Sequence, residues 1–215
     1  MTETAPPPTS RRRRIVQAAV ALLVVAGVTV AYWQVSARQA MADVRVVPAS
    51  LVCNDKPTPY GLQADSGEAP RPAFRFSIAP DDKCLLTVAV VNHGSRTIHV
   101  DSMTFPMLKP GGDSGVVIDV TTRAADGIRA RTGGSDSMDA VFDLGESIEP
   151  DESFDWTFVV RYRVPSSTCD AGTSIFSDLP HTRVSRTGVS ADVDGDVNLL
   201  IKTTPPPAGV PNDCG

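Results

Sequence analysis

Four consecutive arginines, Arg11, Arg12, Arg13 and Arg14, stand directly before nineteen residues that carry no charge, Ile15 to Trp33. As a helix that run rises about 28 Å, which matches the hydrocarbon thickness of a bilayer. Lipid offers the backbone no hydrogen-bond partners, so a chain crossing it satisfies them internally as a helix. Gln17 is the one strongly polar member of the run, near its arginine end, and Tyr32 and Trp33 supply amphipathic rings at the other end. Arginine-rich flanks stay on the cytoplasmic side. The pattern therefore predicts a disordered cytoplasmic tail over 1–14, a transmembrane helix over 15–33 and an extracytoplasmic remainder. Arg11, Arg12, Arg13 and Arg14, with Tyr32 and Trp33, are the residues expected to set its orientation. Ala40-Met41-Ala42 also has the small-x-small form that a signal peptidase accepts, although the apolar core is longer than most signal peptides use. Ser10-Arg11-Arg12 loosely fits a twin-arginine export signal. The stub Ala5-Pro6-Pro7-Pro8 reads as disordered.

Placing the remainder outside gives its charge and cysteines a meaning. Four of the 20 basic residues and one of the 25 acidic ones precede Gln34, so the outer part carries an excess of eight negative charges. Nucleic-acid binding depends on neutralising phosphates, and an acidic surface argues against it. Cys53, Cys84, Cys169 and Cys214 all lie in the outer part. An even count in an oxidising compartment predicts two disulfides. No pair has C-x-x-C spacing. The pairing Cys53–Cys84 with Cys169–Cys214 is preferred, because each bridge then joins a strand end or loop to a nearby element.

Period-two alternation dominates residues 44–203. Phe154, Trp156, Phe158, Val160, Tyr162 and Val164 share one face of a strand whose other face carries Asp155, Thr157, Arg161 and Arg163. Phe74, Phe76 and Ile78 alternate in the same way, as do Val116, Ile118 and Val120. Leu85 to Val91 is nearly continuous in apolar residues, as a central strand would be. Asp194-Gly195, between Val189–Val193 and Val197–Ile201, has the composition of a two-residue type I′ turn and predicts a hairpin there. Asn92-His93-Gly94-Ser95 links the central strand to Thr97–Leu108. These signals predict a mainly β fold, an antiparallel β-sandwich of eight or nine strands. A short linker over 34–43 and a Pro-rich tail over 204–215 flank it. Four irregular stretches, Asn54–Arg71, Arg123–Ser137, Pro165–Arg183 and the tail, are the expected contact loops.

The segments Leu85–Val100 and Leu144–Val160 resemble the immunoglobulin-like accessory domains common on bacterial surfaces, which pair a strand ending in Asn-x-Gly with a later L…I-x-P-x-E-S approach to a strand. The resemblance implies an immunoglobulin-like sandwich with a non-catalytic recognition or scaffold role. It transfers no site residue. The cysteines and Tyr162 do not follow the antibody-type pattern.

Candidate chemistry is sparse. Asp192, Asp194, Asp196 and Asn198 superficially resemble a calcium loop, but Val197 and Thr203 stand where an EF-hand needs Gly and Glu. The acidic residues Asp136, Asp139, Asp143, Glu146, Glu149, Asp151, Glu152 and Asp155 read as a solvated rim. If Thr97–Leu108 is extended, His99, Met103 and Met107 project together with His93 nearby, a ligand set suited to copper. No G-x-S-x-G, Walker or G-x-G-x-x-G motif is present, and His93, His99 and His181 have no adjacent nucleophile signature. No cofactor is implied. The sequence thus predicts a single-pass, membrane-anchored binding or scaffold module of the cell envelope, non-catalytic. Its partners would be the bilayer and an envelope protein or glycan. The rival is an extracytoplasmic copper protein or hydrolase.

Overall fold

A computed structural model describes residues 9–63, 71–80, 82–108, 115–120, 129–132, 138–163 and 173–204. Among them one helix, α1 (Thr9–Ala42), precedes twelve strands. Within it Ile15–Ala42 is long and apolar enough to cross a membrane, and the apolar window is unburied by the protein. The helix overruns the expected span at both ends. Residues 9–14, expected as part of a disordered tail, form its first turns, with the Arg13 side chain exposed. Arginine is a strong helix former, and the last proline before the run is Pro8, so the apolar helix extends backwards through the basic cluster. Nor does the helix stop at Trp33. Residues 34–42, expected as a linker, continue it, because Gln34 to Ala42 contains neither Gly nor Pro to break the backbone pattern.

The strands are β1 (Val44–Cys53), β2 (Lys56–Thr58), β3 (Tyr60–Gln63), β4 (Arg71–Ile78), β5 (Lys83–Asn92), β6 (Ile98–Phe105), β7 (Val116–Val120), β8 (Arg129–Thr132), β9 (Ala140–Ile148), β10 (Ser153–Tyr162), β11 (Thr173–Arg186) and β12 (Val189–Thr203). They form a five-stranded sheet, β2-β1-β5-β10-β7, and a seven-stranded sheet, β3-β4-β12-β11-β6-β9-β8. The mainly β, two-sheet architecture agrees with the sequence pattern, and β5 is the central strand of its sheet. Twelve strands exceed the expected count because three of the stretches expected as loops contain strands: β2 and β3, then β8, then β11. The sandwich is also not wholly antiparallel, since β12 and β4 run parallel.

The two inner faces meet around an aromatic cluster. Phe105 and Phe142 on the larger sheet pack against Phe158 on the smaller one, with ring centroids 4.8 to 5.9 Å apart in tilted and edge-on arrangements favourable for aromatic pairs. Trp156, Val160 and Tyr162 join Phe158 inside, as the alternation of β10 requires. Phe154 departs from it. At the open end of the strand its ring is exposed and lies against Trp156.

Cys53 and Cys84 are bonded. They are direct register partners on β1 and β5, so this bridge lies within one sheet, whereas antibody-type bridges join two. Cys169, Cys214 and the Pro-rich tail after Thr204 lie outside the described residues, as do Met1–Pro8 and Val164.

The expected hairpin at Asp194-Gly195 is not formed. Residues 189–203 make one strand, and the turn into it is Thr187-Gly188, with φ of 49° and 83°, the left-handed pair a type I′ turn needs. Side-chain phase explains the difference. A two-residue turn at Asp194-Gly195 would set Val193 opposite Asp196 and Ala191 opposite Asn198, mixing apolar and polar side chains on one face. The observed turn sets Val184 opposite Ala191 and Thr182 opposite Val193. Val189, Ala191, Val193, Val197, Leu199 and Ile201 then stay in one inward phase. Gly195 serves close approach instead: a Cβ there would collide with the Leu179 carbonyl of β11.

Candidate functional site

The end of the sandwich nearest α1 is organised by Asn92. The sequence links Asn92 to β6 through His93–Thr97 and links β9 to β10 through Glu149–Glu152. Both links cross between the sheets, so they leave carbonyls that no strand neighbour satisfies. The buried Asn92 side chain supplies the donors. Its Nδ2 donates to the carbonyls of Arg96, Ile148 and Glu149 at 2.9, 3.1 and 3.1 Å, and its Oδ1 accepts from the Gly94 N–H at 3.0 Å. Its backbone N–H donates to the Glu152 carbonyl and its own carbonyl accepts from Asp151. The two segments that carry the immunoglobulin-like resemblance are thus joined through one amide.

The helix docks at the same end. Ala37, Ala40 and Met41 are buried, and Met41 belongs to the hydrophobic core. Gly94 admits the helix terminus, because a Cβ there would stand 2.7 Å from the Ala40 carbonyl oxygen.

The outer face of the seven-stranded sheet carries an open groove of about 450 Å³ lined by Asp101, Ser102, Thr104, Val141, Asp143, His181, Arg183 and Asp192. Sheet register assembles it. Asp143, Ser102, Arg183 and Asp192 lie in one row across β9, β6, β11 and β12, and Val141, Thr104, His181 and Asp194 lie in the next. His181 Nδ1 donates to Asp194 Oδ1 at 2.6 Å, the tautomer a carboxylate acceptor demands, and Nε2 is left for a ligand. Ser185 Oγ donates to Asp101 Oδ1 at 2.9 Å, and His99 Nδ1 lies 3.2 Å from Ser147 Oγ. Carboxylates, hydroxyls, one guanidinium and one imidazole share the groove. That set can offer hydrogen bonds and charge to a polar ligand.

The groove was not foreseen as a unit. Asp192, Asp194 and Asp196 share the exposed face of one strand instead of turning around a loop, and Asp194 is held by His181. The copper grouping is broken by a bulge in β6. Against β11, Val100 pairs with Val184 and Ser102 with Arg183, which leaves Asp101 unpaired, so Ile98 and Val100 point inward before it and Met103 and Phe105 after it. Met103 is therefore in the core, His99 is on the outer face, and Met107 is exposed in the following turn. Among the described residues no three His, Cys, Asp or Glu side chains are placed to hold one ion.

Of the residues expected to orient the chain, Arg13, Tyr32 and Trp33 are exposed on α1, at opposite ends of its apolar run. The side chains of Arg11, Arg12 and Arg14 lie outside the described residues. The signal the sequence did carry for the groove is the outward phase of β11 and β12, where His181, Arg183, Asp192 and Asp194 alternate with the inward-facing Thr182, Val184, Ala191 and Val193.

No protein-family model and no curated protein matches this chain. Solved structures similar to it include a type I cohesin from Pseudobacteroides cellulosolvens, at 9% identity over 79% of this chain and 97% of that one, with a TM-score of 0.36. A GH20 exo-β-N-acetylglucosaminidase from Vibrio harveyi matches at 11% identity over 75% of this chain, with a TM-score of 0.32. A family 123 glycoside hydrolase from Clostridium perfringens matches at 12% identity over 62% of this chain, with a TM-score of 0.27. The chain spans 18% and 23% of the length of those two glycosidases. The sandwich architecture rests on the sheets described above.

Proposed function

We infer that this chain is a single-pass, membrane-anchored binding or scaffold module of the bacterial cell envelope, with its N-terminus cytoplasmic and its sandwich extracytoplasmic. The observation that carries the reading is the burial of Met41 in the hydrophobic core together with Ala37 and Ala40. Cleavage after Ala42 would strip these side chains from the sandwich, so the fold favours a retained helix over a discarded signal. Removing a buried methionine side chain destabilises a core by about 2–5 kcal/mol.

The groove beside His181 and Arg183 is the surface that such a module would present, to an envelope protein or a glycan. It supports binding over hydrolysis. The His181–Asp194 pair is open to solvent, with side-chain exposures of 46% and 72%. Among the described residues no serine or threonine hydroxyl is hydrogen-bonded to His181, as a nucleophile activated by that ring would be. The full chain in detergent, used as bait on envelope extract, tests the reading. Retention of one protein or glycan that is lost with Arg183→Ala and Asp192→Ala supports it. Retention of nothing, or ester or glycoside turnover abolished by His181→Ala, counts against it. Immunoblotting of intact cells checks the anchor, which requires the mature chain to keep its full length.

A further inference from the structure

The last turns of α1 are fused to the sandwich, not hinged to it. The helix is unbroken from Trp33 to Ala42, three of its side chains are buried there, and the His93 N–H donates to the Asp43 carbonyl at 3.2 Å. Packing therefore sets where the sandwich stands relative to the apolar run. Trp33 closes that run, and its ring lies against the β11–β12 turn: a Cβ on Gly188 would be 3.9 Å from Trp33 Cη2. Ala40, seven residues on and about 10 Å further along the helix axis, stands against Gly94 instead.

We propose that Trp33 and the turn Arg186–Val189 form a membrane seat, through which the sandwich rests on phospholipid headgroups at the outer interface. The proposal rests on the anchor reading above. With Ile15–Trp33 matched to the hydrocarbon layer, Trp33 lies at the headgroup level, where indoles concentrate, and the turn it touches lies there too. The turn has suitable chemistry. Arg186 offers a cation, Thr187 an exposed hydroxyl, and Gly188 a peptide with no side chain in the way. The acidic turn Glu149–Glu152 is held at the level of Asn92 and Gly94. It is therefore set back from the phosphates by about a Debye length. Thr187, in the turn after β11, follows His181 by six positions, at most about 20 Å, so the seat keeps the groove close above the bilayer.

The test uses the full chain in vesicles of phosphatidylcholine and phosphatidylglycerol, with nitroxide-headgroup lipid as quencher. A fluorescent thiol probe is placed at Thr187→Cys and, for comparison, at Ser77→Cys, which pairs with Lys202 at the opposite end of β12. Signal from the unsubstituted chain is subtracted. Should Thr187→Cys fail to fold, the exposed Ser190→Cys beside the turn gives the same readout. Loss of fluorescence at the turn with none at Ser77→Cys is expected. Equal, unquenched probes on a chain that floats with the vesicles would overturn the seat and leave the anchor standing. A chain that does not float would overturn the anchor and the seat with it.

Discussion

Gly94 and Ala40 are in backbone-to-backbone contact: the space a Gly94 side chain would need is taken by the Ala40 carbonyl oxygen, 2.7 Å from the Cβ position. The obstacle is backbone, which cannot rotate aside. Gly94→Ala is expected to destabilise the sandwich by about 1–3 kcal/mol, as overpacking does, and to loosen the end of α1. Thermal unfolding in detergent measures the first effect. Proteolysis between Trp33 and Ala42, absent in the parent and present in the variant, measures the second.

Asn92→Ala should be more damaging. It removes the donors that serve the Arg96, Ile148 and Glu149 carbonyls and the acceptor of the Gly94 N–H. Glu149 keeps a bond from the Glu152 N–H, but the buried Ile148 carbonyl and Gly94 N–H lose their partner, each worth about 1–3 kcal/mol. Urea unfolding should show a midpoint well below that of the parent, and Asn92→Asp should not restore it, because a carboxylate cannot donate.

Thr182→Val should go the other way. The Thr182 hydroxyl is buried on the inner face of β11 and has no hydrogen-bond partner among the described residues. Replacing it with a methyl of similar shape removes an unsatisfied polar group, and a gain of about 1 kcal/mol is expected. An unchanged or lower melting temperature would refute this.

Tyr60 gives the fold an alkaline weakness. Burial, followed by the charge of Asp196, raises its phenol above the ordinary value of 10.0, and its hydroxyl donates to the Asp196 carbonyl at 2.6 Å. A group whose folded pKa is raised stabilises the fold fully below its unfolded pKa and ceases to do so as pH rises through the folded one. Stability should therefore fall above pH 10.0. Tyr60→Phe should flatten that fall while lowering stability at neutral pH through loss of the hydrogen bond.

Reduction should matter at the other end of β1. The Cys53–Cys84 bridge closes 31 residues, worth about 4 kcal/mol in the chain-entropy treatment. Cys53→Ser with Cys84→Ser should lower the unfolding midpoint by a corresponding amount, and adding reductant to that double variant should lower it no further if this is the bridge that matters.

Local physics is legible in the chain. The charge-free run after Arg14 makes a helix whatever follows, and the alternations in Phe74–Ile78, Val116–Val120 and Phe154–Tyr162 make half-buried strands. The chain favours Cys53–Cys84 among three possible connectivities without fixing it; the β1–β5 register sets the two cysteines side by side. The groove could not. Its residues come from β6, β9, β11 and β12, and only register brings Asp143, Ser102, Arg183 and Asp192 into one row. The His99–Met103 reading failed for a related reason. One bulged residue at Asp101 inverts the phase of everything after it, and periodicity in the chain does not reveal where a partner strand leaves a residue unpaired. Asp194-Gly195 misled because turn composition is local while turn position is decided by which phase keeps apolar side chains together across two strands. Packing, not the local pattern, makes the end of the apolar helix part of the sandwich. Met41, Ala40 and Gly94 are unremarkable in sequence, and their close packing exists only once the two sheets have closed around Asn92.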